Sequence, residues 1–486
     1  MTGPTIPGVR GALETAAALR SGELDALELA EQTLEAARTA GGEVGAFAHL
    51  LPDLSVRQAR HAAETLAAAR RAGELEELAA RHPLLGVPLP IKDLTQIAGQ
   101  PFEAGSLALR GNIAEVTDGV AQRILDAGTV TIGKTTTPEF GMPCYTEPAT
   151  GSPARTPWDL HRTAGGSSGG AGAAVARGIV PIAHGSDGGG SVRIPAACCG
   201  VLGLKPSRGL LSPGPYSTEG MGLGTDGVLA RSVRDVAAGL DLLAGGRPGD
   251  FMPLPRRTSS YLDAIEEPPG PLRIAVLEKP LAAETAVHPA ALRGLDRAVG
   301  TLRGLGHRIS RISAPFTAED WTAFMPLWTV GAATIALSES QETQLLELTR
   351  WLRERGRTFS GVDLAAALAG VQTLARRTAE AFADYDVVLT PALSGPPAFP
   401  EDLQLSEGAA DFDAQRAFTP WTSSWNMTGD AALAVPIHRE EVDGTELPFG
   451  VQLGATRRGA EALLLQLAAQ LEAHDPWPLV RAPGAA

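Results

Sequence analysis

The sequence predicts an α/β protein: one large domain with a central mixed, mostly parallel, twisted sheet and helices on both of its faces. Between residues 117 and 245, helical patterns alternate with short apolar runs, TVTIG, IVPIA and GVLGL. This rhythm is typical of a sheet covered by helices. The later runs DVVLTP, AALAVPI and FGVQLG are equally apolar. We therefore expect strands from both halves of the chain to share one sheet.

The chain divides by pattern into two parts. Residues 1–80 have the periodicity of amphipathic helices rich in Ala, Leu, Glu and Arg, and are expected to pack on the core. Residues 81–480 are expected to form the α/β domain, beginning with a buried strand at GVPLPI, 86–91. Within it, a region at about 246–385 is patterned less regularly, and we expect its helices to form part of a pocket.

Composition excludes several classes of protein. The formal charge is −14, from 41 basic and 55 acidic residues, so no basic surface for nucleic acid is expected. Only four of the basic residues are lysines, which together with the many Ala and Gly residues indicates a GC-rich bacterial genome. Three cysteines and the absence of a secretory or membrane-spanning pattern lead us to expect a cytoplasmic protein without a membrane anchor.

A Gly/Ser-rich loop precedes a helical pattern at TAGGSSGGAGAAVARG, 163–178. Glycine allows the backbone to approach a substrate closely, and a helix N-terminus offers unpaired N–H donors. Ser167 and Ser168 are therefore candidate functional residues. Taken alone, the loop is better explained as a flexible turn with a serine N-cap, because Gly/Ser turns before helices are common.

A second loop of this kind follows an apolar run at AHGSDGGGSVRIPAACCG, 183–200. Successive N–H groups of Gly188, Gly189, Gly190 and Ser191 are able to form a nest for the oxyanion of a tetrahedral intermediate. We therefore expect Ser191 to lie at an oxyanion hole, as acyl transfer requires. Neighbouring Asp187 and Arg193 are expected to pair and hold the loop.

Lys92 directly follows the apolar run at 86–91 and is poorly placed for solvent. Burial would lower the pKa of its amine, so that the neutral form is able to accept a proton. The alternative is a strand-end lysine that pairs with Asp93.

Other motifs suggest different chemistry. GGSSG at 165–169 fits G-x-S-x-G, the nucleophile elbow of α/β-hydrolases, and would make Ser167 the nucleophile of an esterase. That mechanism needs a histidine base, for which the candidates are His184, His288, His307, His438 and His474. GLGTDG at 222–227 fits a dinucleotide fingerprint, but turn-forming residues precede it. His and Cys spacing predicts no metal site, and we expect no cofactor.

Together, GVPLPIKD, the GGSSGG loop, GSDGGGSVRIPAACCG and the late WNMTGDAALAVPI resemble the amidase signature family. The resemblance implies that Ser191 forms an acyl-enzyme, that Ser167 follows a cis peptide bond and relays protons, and that Lys92 is the base. It also implies that Gly141, Met142 and Cys144 lie along the substrate, and Ser168 is expected to support the catalytic residues. Gly188 stands where the family usually has a bulkier residue, which we expect to widen the pocket floor.

The resemblance implies hydrolysis of the C–N bond of a linear or cyclic carboxamide. Local motifs are most similar to the branch that contains bacterial hydrolases of cyclic 6-aminohexanoate dimers. The glutaminase subunit of a tRNA-dependent amidotransferase and an amide-forming acyl transferase are alternatives, because both would use the same three residues. The expected partner is a small amide, and a homodimer is left open. Trp321, Trp328, Trp421 and Trp425 are our candidates for the pocket walls.

Overall fold

The computed structural model describes residues 9–218 and 220–477. Residues 1–8, 219 and 478–480 of the predicted ranges therefore lie outside the described residues. The helices are α1 (Ala12–Ser21), α2 (Ala26–Arg38), α3 (Ala40–Glu43), α4 (Pro52–Ala72), α5 (Leu75–Arg81), α6 (Gly119–Asp126), α7 (Gly169–Ala176), α8 (Arg193–Cys199), α9 (Val233–Leu243), α10 (Tyr261–Ala264), α11 (Pro289–Gly304), α12 (Phe324–Ala333), α13 (Glu339–Glu342), α14 (Glu347–Arg357), α15 (Gly361–Ala381), α16 (Pro400–Leu403), α17 (Gly408–Phe418), α18 (Ser424–Thr428) and α19 (Glu461–His474).

The strands are β1 (Phe47–Leu50), β2 (Ile91–Lys92), β3 (Gly133–Thr135), β4 (Arg155–Thr156), β5 (Asp159–Thr163), β6 (Ile182–Asp187), β7 (Leu202–Lys205), β8 (Thr225–Ala230), β9 (Arg273–Val276), β10 (Arg308–Arg311), β11 (Val387–Pro391), β12 (Ala432–Val442) and β13 (Thr445–Ala455). Eight of them form the central sheet in the order β10-β9-β11-β13-β12-β7-β8-β6. Strands from both halves of the chain thus share one sheet, as predicted.

The sheet is mixed, but the prediction that it is mostly parallel was wrong. The pairs β10–β9 and β9–β11 are parallel, and the other five neighbouring pairs are antiparallel. β12 and β13 form a hairpin whose turn residues, Asp443 and Gly444, have φ of 52° and 82°. An Asp-Gly pair with positive φ at both positions is a tight hairpin turn, which reverses the strand. β8 inserts between β6 and β7 and runs antiparallel to both.

Helices cover both faces of the sheet, as predicted. Successive side chains of a strand point to opposite faces. On β12, Leu433 and Val435 therefore join a core cluster that includes residues of α9, α11 and α19. Ala434, which lies between them, joins a second cluster with residues of α7 and α8. The sheet therefore separates two apolar layers, and the loops that carry Ser167 and Ser191 lead into helices of the second layer.

Within residues 9–81, the regular elements are the helices α1 to α5 and one strand, β1. β1 pairs antiparallel with β3, which pairs parallel with β2, so that a small sheet joins this part to the core. The strand predicted at 86–91 is regular only at Ile91–Lys92. Pro88 and Pro90 lack N–H donors, which prevents a continuous ladder at this point. The division at residue 80 stays a prediction.

Across residues 9–218 and 220–477, no single helix is long and apolar enough to cross a membrane. The pair α14 and α15 meets that length and composition only when taken together, across a bend of 103°.

Candidate active site

One hydrogen bond and one cavity connect Lys92 and the two candidate serines. Lys92 ends β2, Ser167 lies between β5 and α7, and Ser191 lies between β6 and α8. Lys92 Nζ is hydrogen-bonded to Ser167 Oγ at 2.7 Å. Ser167 and Ser191 line the same cavity. The peptide bond between Gly166 and Ser167 is cis.

The ammonium group of Lys92 is fully enclosed. Its side chain is 0% exposed, and Nζ also contacts the carbonyl oxygen and the hydroxyl of Ser186, at 3.3 and 3.1 Å. Burial lowers the pKa of Lys92 from 10.5 to about 7, against the opposing effect of the Asp187 and Asp226 carboxylates. About half of the molecules therefore carry a neutral amine at pH 7.

Asp93 does not pair with Lys92. Its carboxylate lies 2.8 Å from Lys134 Nζ, and both side chains are fully buried. Adjacent residues at a strand end point in opposite directions, so Lys92 and Asp93 face different surroundings. Lys92 is thereby left without an ion-pair partner within 4.0 Å in the described part of the chain.

The loop that carries Ser191, residues 187–193, is braced by a buried ion pair. Both Arg193 Nη2 and Arg193 Nε donate to the Asp187 carboxylate, at 2.9 and 3.0 Å. Arg193 also donates to the carbonyl oxygen of Thr422 and to the side chains of Asn426 and Gln452. These contacts tie the loop to α18 and β13 in the other half of the chain.

The glycine nest differs from the expectation at one position. The Gly190 N–H donates to Asp187 Oδ1 at 2.8 Å, so it is engaged and leaves the predicted donor set. Gly190 has φ of 132°, and a Cβ there would lie 2.5 Å from Thr422 Oγ1, so only glycine fits. Within the described residues, no intramolecular hydrogen bond occupies the N–H groups of Gly188, Gly189 or Ser191.

Two lobes of one site meet at Ser191. The first, which we call the polar lobe, has a volume of about 300 Å³. Its wall includes Thr95, Asp118, Gly141, Ser167, Ser186, Asp187, Gly188, Arg208, Ser217 and Asp226. The second, the aromatic lobe, has a volume of about 50 Å³. Its wall includes Cys144, Gly189, Ile194, Trp321, Phe324, Phe412, Gln415 and Thr419. Met142, Ser191 and Trp328 line both lobes.

The tryptophan prediction holds for two residues of four. Trp321 and Trp328 line the lobes, whereas Trp421 and Trp425 are buried in the core and donate to the backbone carbonyls of Lys279 and Ala455. The expected widening at Gly188 is also corrected, because Trp328 occupies that space. A Cβ at Gly188 would lie 3.1 Å from Trp328 Cζ3.

The histidines expected by the esterase alternative lie elsewhere. The described hydrogen bonds join no histidine to Ser167 or Ser191. His184, the one nearest Lys92 in the fold, accepts the Lys92 backbone N–H at Nδ1. Its Nε2 therefore carries the proton and donates to Asp226 Oδ1 at 3.0 Å. The GLGTDG motif leads into β8 and not into a helix, so it lacks the geometry of a dinucleotide fingerprint.

The amidase family model matches residues 28–465, most of the chain. The chain belongs to the amidase family. It is 35% identical over 483 residues to the 6-aminohexanoate-cyclic-dimer hydrolase of Paenarthrobacter ureafaciens, covering 94% of this chain and 93% of that protein. The corresponding hydrolase of Pseudomonas sp. (strain NK87) is 34% identical over the same length and coverage. A solved structure of 6-aminohexanoate cyclic dimer hydrolase superposes with a TM-score of 0.86 at 31% identity, covering 98% of this chain and 99% of that chain.

The amidase site contains residues that the sequence analysis did not single out. Ser186 contacts Lys92 Nζ, and Asn426 donates both to the carbonyl oxygen and to the carboxylate of Asp187. Thr422 donates from Oγ1 to the carbonyl oxygen of Gly189. Ser168 Oγ bonds the backbone of Ser186, and its N–H donates to the carbonyl oxygen of Ser191. The one signal for Ser186 was its place beside Asp187 in a strand ending at the glycine nest.

Proposed function

We propose that this amidase hydrolyses a carboxamide bond through an acyl-enzyme on Ser191, with Ser167 as proton relay and Lys92 as general base. The observation that carries the proposal is the contact between Lys92 and Ser167. A fully buried amine with a pKa of about 7 lies 2.7 Å from a hydroxyl that shares a cavity with Ser191. Such an amine is able to accept and return a proton near neutral pH.

In the acylation step, Ser191 Oγ attacks the amide carbonyl carbon as its proton passes to Ser167, and the proton of Ser167 passes to Lys92. The C–N bond then breaks, the nitrogen takes a proton from Ser167, and Lys92 returns its proton to Ser167. Water attacks the resulting ester by the same route, which releases the carboxylic acid and restores Ser191. No hydrogen bond between Ser167 and the Ser191 hydroxyl is among those of the described residues, and catalytic hydrogen bonds often tighten only when substrate binds.

The glycine nest supplies the hydrogen-bond donors for the oxyanion of the tetrahedral intermediate. The N–H groups of Gly188, Gly189 and Ser191 stabilise the oxyanion, while Gly190 donates to Asp187 and fixes the loop. Asp187 and Arg193 hold the loop through their buried ion pair, and Ser168 links it to β6. Gly141, Met142 and Cys144 contribute walls beside Ser191.

Two relatives are hydrolases of the 6-aminohexanoate cyclic dimer, so that cyclic diamide is the first substrate to assay. A glutaminase subunit or an acyl transferase would need the same three residues. Assays with glutamine and with amine acceptors distinguish these two activities from hydrolysis. The protein would be a glutaminase subunit if it released ammonia from glutamine only with partner subunits. It would be an acyl transferase if product formed only with an amine acceptor. A cytoplasmic location and a homodimer stay predictions.

The direct test replaces the nucleophile. Ser191→Ala is expected to abolish turnover and labelling by a fluorophosphonate probe while leaving the fold intact, because only one hydroxyl is removed. Circular dichroism and thermal unfolding check the fold, and mass spectrometry of the labelled wild type locates the modified serine. A label on Ser167, with Ser191→Ala still active, would overturn the assignment and favour the esterase alternative.

A further inference from the structure

The two lobes differ in chemistry, and only three residues belong to both. Asp118, Asp226 and Arg208 bring charge to the polar lobe. Aromatic rings and Ile194 form the apolar wall of the aromatic lobe, where the one charged lining residue in the described part of the chain, Arg416, lies over the Trp321 ring. Met142, Ser191 and Trp328 lie at the junction, so a carbonyl carbon bound to Ser191 has one substituent in each lobe.

The proton relay determines which substituent enters which lobe. This step rests on the proposed function, in which Ser167 protonates the departing nitrogen. Ser167 lines the polar lobe and is not part of the aromatic wall. The nitrogen must therefore lie on the polar side when the C–N bond breaks, since proton transfer requires hydrogen-bond reach. The acyl group, on the other side of the carbonyl carbon, then lies in the aromatic lobe.

Trp328 is held at this junction by contacts on two sides. Its ring stacks on Phe324, with centroids 5.4 Å apart and an interplanar angle of 20°. The indole also lies beside Gly188, where a Cβ would come within 3.1 Å of it. Phe324 lies in the same way beside Gly189, at 3.7 Å from the position of a Cβ. The stacked rings of Phe324 and Trp328 thus lie alongside Gly188 and Gly189. They form a flat apolar wall beside the carbon that Ser191 attacks.

We propose that Trp328 is a specificity-determining residue that separates the acyl side of the substrate from the amine side and limits the size of the acyl group. The small volume of the aromatic lobe selects a compact apolar acyl group, and the larger polar lobe takes a bulkier amine part that carries polar or cationic groups. Among open-chain amides, the preferred substrate is therefore one whose acyl portion is smaller and less polar than its amine portion; the cyclic dimer, whose two halves are identical, does not test this preference.

The test compares two substrate series. In the first, one amine carries acyl groups from acetyl to octanoyl, and in the second, a fixed acetyl group is joined to amines of increasing size. Trp328→Ala is expected to raise the ratio of kcat/KM for long against short acyl groups by about tenfold or more, since one methylene in an apolar pocket is worth about that factor. The corresponding ratio in the amine series is expected to change by a smaller factor, because Trp328 is one of many residues that line the larger polar lobe.

Two further variants keep the test decisive. Trp328→Phe is expected to shift the acyl ratio in the same direction by a smaller factor, and it loses no hydrogen bond because Trp328 Nε1 has no partner among the described residues. If Trp328→Ala fails to fold, Trp328→Phe takes its place in the comparison. Trp351→Ala is the matched control, because Trp351 packs on Phe412 but lines neither lobe.

The outcomes separate this inference from the proposed function. Loss of activity in Ser191→Ala on every substrate supports the mechanism whatever Trp328 does. An unchanged acyl ratio in both Trp328 variants, or a change confined to the amine series, would overturn the assignment of the lobes. An equal change in Trp351→Ala would do so as well, because the effect would then come from the aromatic cluster in general.

Discussion

The buried amine of Lys92 makes a quantitative prediction for the pH dependence of activity. An exposed lysine with a pKa of 10.5 is neutral in about one molecule in three thousand at pH 7, whereas a pKa of about 7 makes about half of the molecules neutral. Burial therefore increases the fraction of molecules with a neutral Lys92 amine by about a thousandfold at pH 7. Because the neutral amine is the active form, kcat/KM is expected to rise about tenfold per pH unit below a midpoint near 7 and to level above it.

The assay is the pH profile of kcat/KM for one amide in the wild type and two matched variants. Lys92→Arg is expected to lose about 10²- to 10⁴-fold in rate, because guanidinium cannot accept a proton at these pH values. Lys279→Arg is the control, since Lys279 is exposed and its profile should match the wild type. An acid limb with a midpoint near 10, or a limb that disappears on replacing a histidine while Lys92→Arg keeps its activity, would refute the role given to Lys92.

Two further outcomes follow from the charges around the site. Asp226→Asn is expected to move the acid limb to lower pH, because this carboxylate raises the pKa of Lys92 against burial; an unmoved midpoint in the kcat/KM profile would contradict that. Arg193→Met is expected to cost about 3–5 kcal/mol of unfolding free energy in urea titrations, because it leaves the fully buried Asp187 carboxylate without its cation. Arg234→Met, which breaks an exposed pair, is expected to cost no more than about 1 kcal/mol, and equal losses in the two variants would count against the argument.

The sequence was informative where function depends on short segments. Lys92, Ser167 and Ser191 each lie in a local motif whose residue types already indicate their environment. In the structure Lys92 is hydrogen-bonded to Ser167, which shares a cavity with Ser191. The helical and apolar patterns were enough to predict a mixed sheet with helices on both faces. The antiparallel pairing of β12 with β13 was missed because the Asp443-Gly444 turn was not used as a hairpin signal, and the other four antiparallel pairs join strands that no such two-residue turn connects.

Other features depend on contacts that no local pattern encodes. Nothing in the sequence around Asn426 and Gln452 distinguishes them from other polar residues. Only the folded structure shows that both contact Arg193. The contact between Trp328 and Gly188 joins a helix and a loop far apart in the chain, so the sequence predicted an open pocket floor where the structure has an indole. Prolines 88 and 90 lie in a buried apolar run, and the hydropathy pattern alone could not show that they interrupt the ladder.

The bracing of residues 187–193 also has a consequence for how the protein acquires activity. The partners of Arg193 at positions 422, 426 and 452 are separated from it by 229, 233 and 259 residues. During synthesis, all three catalytic side chains have left the ribosome well before those partners exist, so the loop cannot yet hold the geometry that it has in the finished fold. Closing such long loops is entropically costly and comes late in folding. We therefore expect the nascent chain to be inactive until its C-terminal strands have docked, and the first half of the sequence to be inactive when produced alone.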